Sequence, residues 1–205
     1  EPVTQERFDL IVSNPPFVIS PEKEVEYRDG GLPGDSLTEQ VIRGAAGLLQ
    51  EGGYATVMGN WCHEEDSAWA DPPRHWLASG GCDVLIVGSD TKDPLGYASA
   101  WLPEEHEESP GRYAQRLDQW LAYYERLGIR HITSGAVIFR RRSEGPNWVR
   151  AERRSGEQPH GSASDQIQRI FAAQDFLAAH ADPRHLLDTA FLLTGDHQLE
   201  HLMRA

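Results

Sequence analysis

Cysteine, basic charge and long apolar runs are all scarce in this chain, and each shortage removes a class of protein. Two cysteines, Cys62 and Cys82, among 205 residues suit neither a disulfide framework nor a thiolate metal cage. A reducing cytoplasm is therefore the expected compartment. No apolar run approaches the ~20 residues of a membrane helix and no signal segment shows, so no membrane partner is expected. Nineteen Lys and Arg stand against 32 Asp and Glu, a formal charge of −13. That balance favours solubility and disfavours general polyanion binding, without excluding RNA as a partner. The hydrophobic share of 39% and charged share of 25% are globular values, and the length allows one ordinary core with some chain left for a second small unit.

What is present begins with the apolar run Phe8-Asp9-Leu10-Ile11-Val12, with Asn14-Pro15-Pro16-Phe17 directly behind it. The run reads as a fully buried parallel strand that delivers the tetrapeptide at its carboxyl end, where open α/β sheets place their sites. The prolines fix φ and keep the stretch extended, so the direction of its carbonyls is set in advance.

Ser36 with Glu39 three residues on has the form of a capping box. Leu37, Val41, Ala45, Leu48 and Leu49 then share a helix face that Gly52-Gly53 is expected to end. Tyr54 to Gly59 is the next buried strand, opening into Asn60-Trp61 at its carboxyl end. A helix through Trp69 to Ala78 leads to a third strand at Cys82 to Val87, and Ile132 to Arg142 is a fourth. The alternation of strands and helices predicts an α/β fold with parallel, right-handed crossovers.

The Asn-Pro-Pro-Phe motif behind such a strand resembles that of class I S-adenosylmethionine-dependent methyltransferases that act on planar nitrogens, a group including release-factor glutamine and rRNA amine N-methyltransferases. The resemblance covers about residues 6 to 142 and implies a Rossmann-like sheet, mostly parallel with its last strand antiparallel. It implies that the Asn14 side-chain oxygen and the Pro15 carbonyl accept the two hydrogens of the substrate NH₂, which helps turn a conjugated lone pair toward the methyl group. Pro16 and Phe17 would complete the substrate contact, with Phe17 stacked on the planar group. Asn60 and Trp61 would join them, although Trp61 also fits an aromatic that merely covers the sheet end. Catalysis would be positioning rather than acid–base work. The implied cofactor is S-adenosylmethionine, yet nothing here resembles the glycine loop that cradles it. Gly44 to Gly47 falls inside a helix and Gly30-Gly31 comes after the motif. The chain is therefore expected to be the substrate-side half of a catalytic domain, with an amino-terminal half as its partner and little activity alone.

On this reading residues 1–154 form the half-domain and 162–205 a helical extension, itself truncated. Ser89 to Arg130 is an insertion carrying the acidic run Glu104 to Glu108 and a helix in which Tyr113, Leu117, Trp120, Leu121 and Tyr124 share a face. It leaves the sheet on the active-site side and is either a substrate lid or a surface helical hairpin. Arg140, Arg141, Arg142, Arg150, Arg153 and Arg154 crowd a hairpin predicted around Ser143 to Asn147. They are either phosphate ligands or a solvated edge that resists strand addition. A Gln158 to Ser162 linker precedes two apolar stripes, Ile167, Ile170, Phe171, Gln174 and Leu177, then Leu186, Leu187, Ala190, Phe191 and Leu193. His197 and His201 lack the neighbouring acid of a zinc peptidase helix, and His63 with Glu64, Glu65 and Asp66 reads as a solvated loop, so no metal is expected. Two functions compete: an N-methyltransferase acting on a nucleobase amine or a protein glutamine amide, and a non-catalytic methyltransferase-like scaffold for protein interaction.

Overall fold

The computed structural model describes residues 6–22, 27–64, 68–102, 110–154, 163–182 and 184–191. The acidic run Glu104 to Glu108, Glu65, Asp66, the linker Gln158 to Ser162, Leu193, His197 and His201 lie outside them. The chain divides into two compact units, Glu1–Gly156 and Glu157–Ala205.

The first unit is an open, mixed sheet of five strands: β1 (Phe8–Ser13), β2 (Leu49–His63), β3 (Cys82–Lys92), β4 (His131–Arg141) and β5 (Val149–Arg153). Their spatial order is β1-β2-β4-β3-β5. β1 runs parallel to β2, and β5 parallel to β3. β4 is antiparallel to both of its neighbours. All strands but β4 therefore point the same way, and the last long strand is antiparallel as expected. Among the described residues the helices of this unit are α1 (Ser36–Leu48), α2 (Asp71–Leu77), α3 (Pro94–Trp101) and α4 (Pro110–Arg126).

One core cluster joins Ile42, Ala45 and Ala46 of α1 and Trp76 and Leu77 of α2 to Ala55, Val57, Val84, Ile86, Val137 and Phe139 of the sheet. The alternation of the strands places Tyr54, Thr56, Met58, Asn60 and Cys62 on the opposite face. A second, largely aromatic cluster forms around α3 and α4.

Four local expectations fail for physical reasons. β1 is an edge strand rather than a fully buried one: Ile11 packs on the first cluster, but Leu10 and Val12 turn to the other face and are 63% and 73% exposed. The capping box at α1 does not form. Asp35 occupies the cap, its side chain accepts instead from the Cys62 N–H at 2.8 Å, and Glu39 pairs with Arg43 one turn on. Gly52 and Gly53 do not stop a helix, because β2 already begins at Leu49. Gly52 adopts a φ of +78°, and a Cβ on Gly53 would meet the Phe8 carbonyl at 2.7 Å, so the pair lets β1 approach an irregular stretch of β2. Finally, β4 and β5 are not a hairpin. β4 is flanked on both sides, by β2 and β3, so the chain after Arg141 crosses the amino end of β3 and adds β5 at its free edge.

In the second unit α5 (Ala163–Ala179) precedes the single turn α6 (Arg184–Leu187). Phe176 stacks on His180 with centroids 4.2 Å apart and meets Phe191 edge-on at 5.9 Å. The second predicted stripe is not a buried helix face, since Leu187 and Phe191 are exposed.

Candidate active site

β1 ends at Ser13, so Asn14 is the first residue free of the sheet. Its side chain is exposed, and neither its amide nor the Pro15 carbonyl makes a hydrogen bond among the described residues. An asparagine before two prolines cannot slide back into helix, and the prolines contribute no N–H that would draw a competing acceptor. Two unpaired acceptors therefore sit on a stiffened stretch at the carboxyl end of a parallel strand. Pro16 is approached closely from behind, where a Cβ added to Gly30 would lie 2.9 Å from its carbonyl oxygen. Gly30 thus allows the returning loop to pass under the motif, and a Val18 N–H to Arg28 carbonyl bond of 2.9 Å closes that loop.

Phe17 is partly buried against the second cluster, so one side of its ring is anchored. The anchor comes from the insertion. Tyr97 and Leu102, at and just after α3, and Trp120, Tyr123 and Tyr124 of α4 pack with Val18 and Ile19, the two residues after the motif. The expected face of α4 is present, with Tyr123 added to it. Arg116 also reaches across to Glu22, with Nε 2.9 Å from the carboxylate. The insertion is thus no detached surface hairpin, since its aromatic face is the floor on which the segment after the motif lies.

Adjacent residues at the carboxyl end of β2 part company. Asn60 is 1% exposed, and its Nδ2 bonds the Tyr97 hydroxyl at 2.5 Å. Its Oδ1 is buried with no partner among the described residues. An acceptor left so costs about 1–3 kcal/mol until a donor reaches it. Burial pushes Tyr97 well above the usual phenol range, so its hydroxyl keeps its proton.

Trp61, expected either as a pocket wall or as an aromatic covering the sheet end, is fully enclosed in the first cluster. Its Nε1 donates to the Trp69 carbonyl at 2.6 Å, and the two indoles stack with centroids 6.4 Å apart. The cause is a glycine row, Gly59, Gly135 and Gly88, paired across β2, β4 and β3. A Cβ on Gly135 would come within 2.6 Å of the Trp61 ring, and one on Gly88 within 2.6 Å of Trp69. The missing side chains are the space the indoles occupy. Three small residues at one level of neighbouring strands were the signal for this in the sequence, visible only once strand order is known.

The basic residues resolve by position. Arg140 and Arg142 both bond the fully buried Asp83 carboxylate, at 2.6 and 3.2 Å, and Arg150 pairs with Glu152. Arg141 donates to the Gly80 carbonyl at 2.7 Å, at the amino end of β3 and away from Asn14. Arg153 reaches the carboxyl end of the sheet with its side chain, and the Arg154 N–H donates to the Gly88 carbonyl at 2.8 Å. The Arg153 guanidinium is the better defined of the two. It lies over Trp69 at 4.8 Å and donates to Thr91 Oγ1 at 3.0 Å. Thr91 meets Thr133 at 2.8 Å, and Thr133 meets His63 Nε2 at 3.1 Å, so one line of side chains crosses β5, β3, β4 and β2. A cleft of about 230 Å³ lined by Arg43, Trp76, Leu77 and Arg141 lies toward the opposite end.

Among the described residues there is no group of three His, Cys, Asp or Glu able to hold a metal ion, and no helix long and apolar enough to cross a membrane. No family model matches the chain, and no curated protein is similar to it. Among the solved structures that are similar at a low level are these two. A protein assigned as a sarcosine dimethylglycine methyltransferase from Galdieria sulphuraria gives a TM-score of 0.35 at 18% identity, over 70% of this chain and 56% of that one. The [4+2]-cyclase SpnF gives 0.34 at 16% identity, over 70% and 53%. The chain thus spans about half the length of these structures.

Proposed function

We propose that this chain supplies the substrate side of an S-adenosylmethionine-dependent N-methyltransferase acting on a planar amino nitrogen. The observation that carries the reading is Asn14: an exposed amide with no partner among the described residues, beside the unbonded Pro15 carbonyl, held by two prolines where a parallel strand ends. Two acceptors so placed take the two hydrogens of an NH₂ conjugated to a ring or carbonyl and orient its lone pair without moving a proton. Phe17, anchored on one side, offers its ring to the planar group. The buried Oδ1 of Asn60, without a partner among the described residues, adds an acceptor near the same strand ends.

The described residues do not fit the cofactor. Their glycines with positive φ nearest the motif, Gly31 and Gly34, lie after β1 and before α1. Gly30 is taken up against Pro16. What the described residues contribute is confined to the nitrogen that receives the methyl group. The acceptor is a nucleobase amine or a protein glutamine amide, which present the same planar NH₂.

The test is methyl transfer by the full-length protein from labelled cofactor to total RNA and to ribosome-associated protein. Asn14→Ala is expected to lose about 10²- to 10³-fold in turnover, by analogy with the loss of one preorganised oxyanion donor. Cofactor affinity should stay unchanged. Full turnover in Asn14→Ala would refute the assignment.

A further inference from the structure

Ile19 lies two residues beyond Phe17 in a segment outside the named strands, so its buried N–H and C=O need partners from elsewhere. Both come from tyrosines of the insertion. The Tyr97 hydroxyl accepts from the Ile19 N–H at 3.2 Å, and the Tyr124 hydroxyl donates to the Ile19 carbonyl at 2.8 Å. A third, Tyr123, accepts from the Gly34 N–H at 2.9 Å, where the chain turns toward α1. These phenols approach from α3 and α4, about 80 to 105 residues further along the chain. Tyr97 and Tyr124 also meet each other edge-on, at 6.3 Å between centroids. Ile19 is thereby gripped on both backbone groups by side chains that brace one another.

Resting on the methyl-transfer reading above, we infer that Tyr97 and Tyr124 are positioning residues of that site: by fixing the Ile19 backbone they set where Phe17 presents its ring to the substrate. Phenylalanine in either place would fill the same volume but leave a buried backbone group unpaired. Tyr97 carries a second load, since it also holds the Asn60 amide at the end of β2. One hydroxyl thus ties the segment after the motif to the neighbouring strand. The phenols stay protonated through the working range, because burial pushes both well above their usual titration. The insertion on this account is a fixed brace for the substrate pocket, not a lid that opens over it.

Tyr97→Phe and Tyr124→Phe in the full-length protein test this, with Tyr113→Phe as a control whose hydroxyl reaches Ser99 within the insertion. Two readouts are needed, hydrogen exchange at the Ile19 amide and the split of kcat from KM and cofactor affinity. Loss of one net hydrogen bond predicts about five- to tenfold faster exchange at Ile19 in Tyr97→Phe. It also predicts about a tenfold change in kcat/KM for the methyl acceptor in both variants, with cofactor affinity unchanged and Tyr113→Phe like the parent. Unchanged Ile19 exchange in Tyr97→Phe would overturn the clamp. Faster exchange with unaltered kcat/KM would reduce it to a structural contact and refute the positioning role. Asn14→Ala in the same assay separates the two ideas: if it keeps full turnover, the methyl-transfer reading fails, whereas if it alone is impaired, the positioning role fails.

Discussion

Asn60 and Trp61 are neighbours in the chain, yet they belong to regions held together by different physics. On the Trp61 face, order comes from volume: three glycines are left bare so that two indoles and Thr38 can lie against the sheet. On the Asn60 face, order comes from directed bonds, with tyrosine hydroxyls reaching an amide and the backbone of an irregular segment. A packed face tolerates little change in size but is indifferent to direction. A hydrogen-bonded face holds single atoms in place, at the cost of any group left unpaired. The motif lies next to the second kind of region, which suits the proposed role of aiming acceptors.

The sharpest way to break this comparison is to delete each neighbour in turn. Trp61→Ala should cost about 3–5 kcal/mol, as for a large core aromatic, whereas Asn60→Ala should cost no more than about 1 kcal/mol, since loss of the bond to Tyr97 is offset by removal of the buried Oδ1 that has no partner among the described residues. Asn14→Ala, at an exposed side chain with no partner among the described residues, should stay within about 0.5 kcal/mol of the parent. Urea midpoints would give all three. Equal losses at Asn60 and Trp61 would mean that the two faces are not distinct.

Gly135→Ala comes next. Its new methyl would press on the Val87 carbonyl and lie 2.6 Å from the Trp61 ring, so it should cost about 1–3 kcal/mol through overpacking. Because the clash is with a side chain as well as backbone, combining it with Trp61→Phe should recover part of that loss. A strictly additive double-mutant cycle would show that the glycine is required for the strand itself and not for the indole.

This contrast also explains what could be read from residues alone. The strand before Asn14, the order of strands and helices and the aromatic face of α4 were legible, because each is a local pattern whose period reveals the element. The burial of β1 was not: Leu10 and Val12 look like interior residues, and only the sheet order shows that their face is open. The hairpin expected at Ser143 to Asn147 failed for the same reason, since the turn is local but the edge available to β5 is not. Trp61 is open, from sequence, between a pocket wall and an aromatic covering the sheet end, and its enclosure in the core was not legible, because two of the glycines that make room for the indoles sit in β3 and β4, strands far along the chain from it. The end of β1 before Asn14 needed no such information, because the apolar run and the two prolines behind it mark locally where the strand stops.

The smallest expected effect concerns the line of side chains from Arg153 to His63. Burial holds the His63 imidazole below its ordinary titration range, with the stacked His131 and Arg153 pushing the same way and the Glu64 carbonyl and Asp71 opposing. A base whose folded pKa is depressed binds protons more weakly in the folded than in the unfolded state, so stability rises with pH in that window. The contribution is intact above the unfolded value near 6.5 and is lost as pH falls toward and through the lower folded value. On the neutral side His63 Nε2 accepts from Thr133, whereas the imidazolium would have to donate, reversing the bond to a hydroxyl already engaged with Thr91. His63→Gln should therefore flatten the fall in urea midpoint between about pH 7.5 and about pH 5.5, while the parent loses stability over the same range. Parallel curves for the two proteins would place the acid sensitivity on other groups and remove His63 from the line.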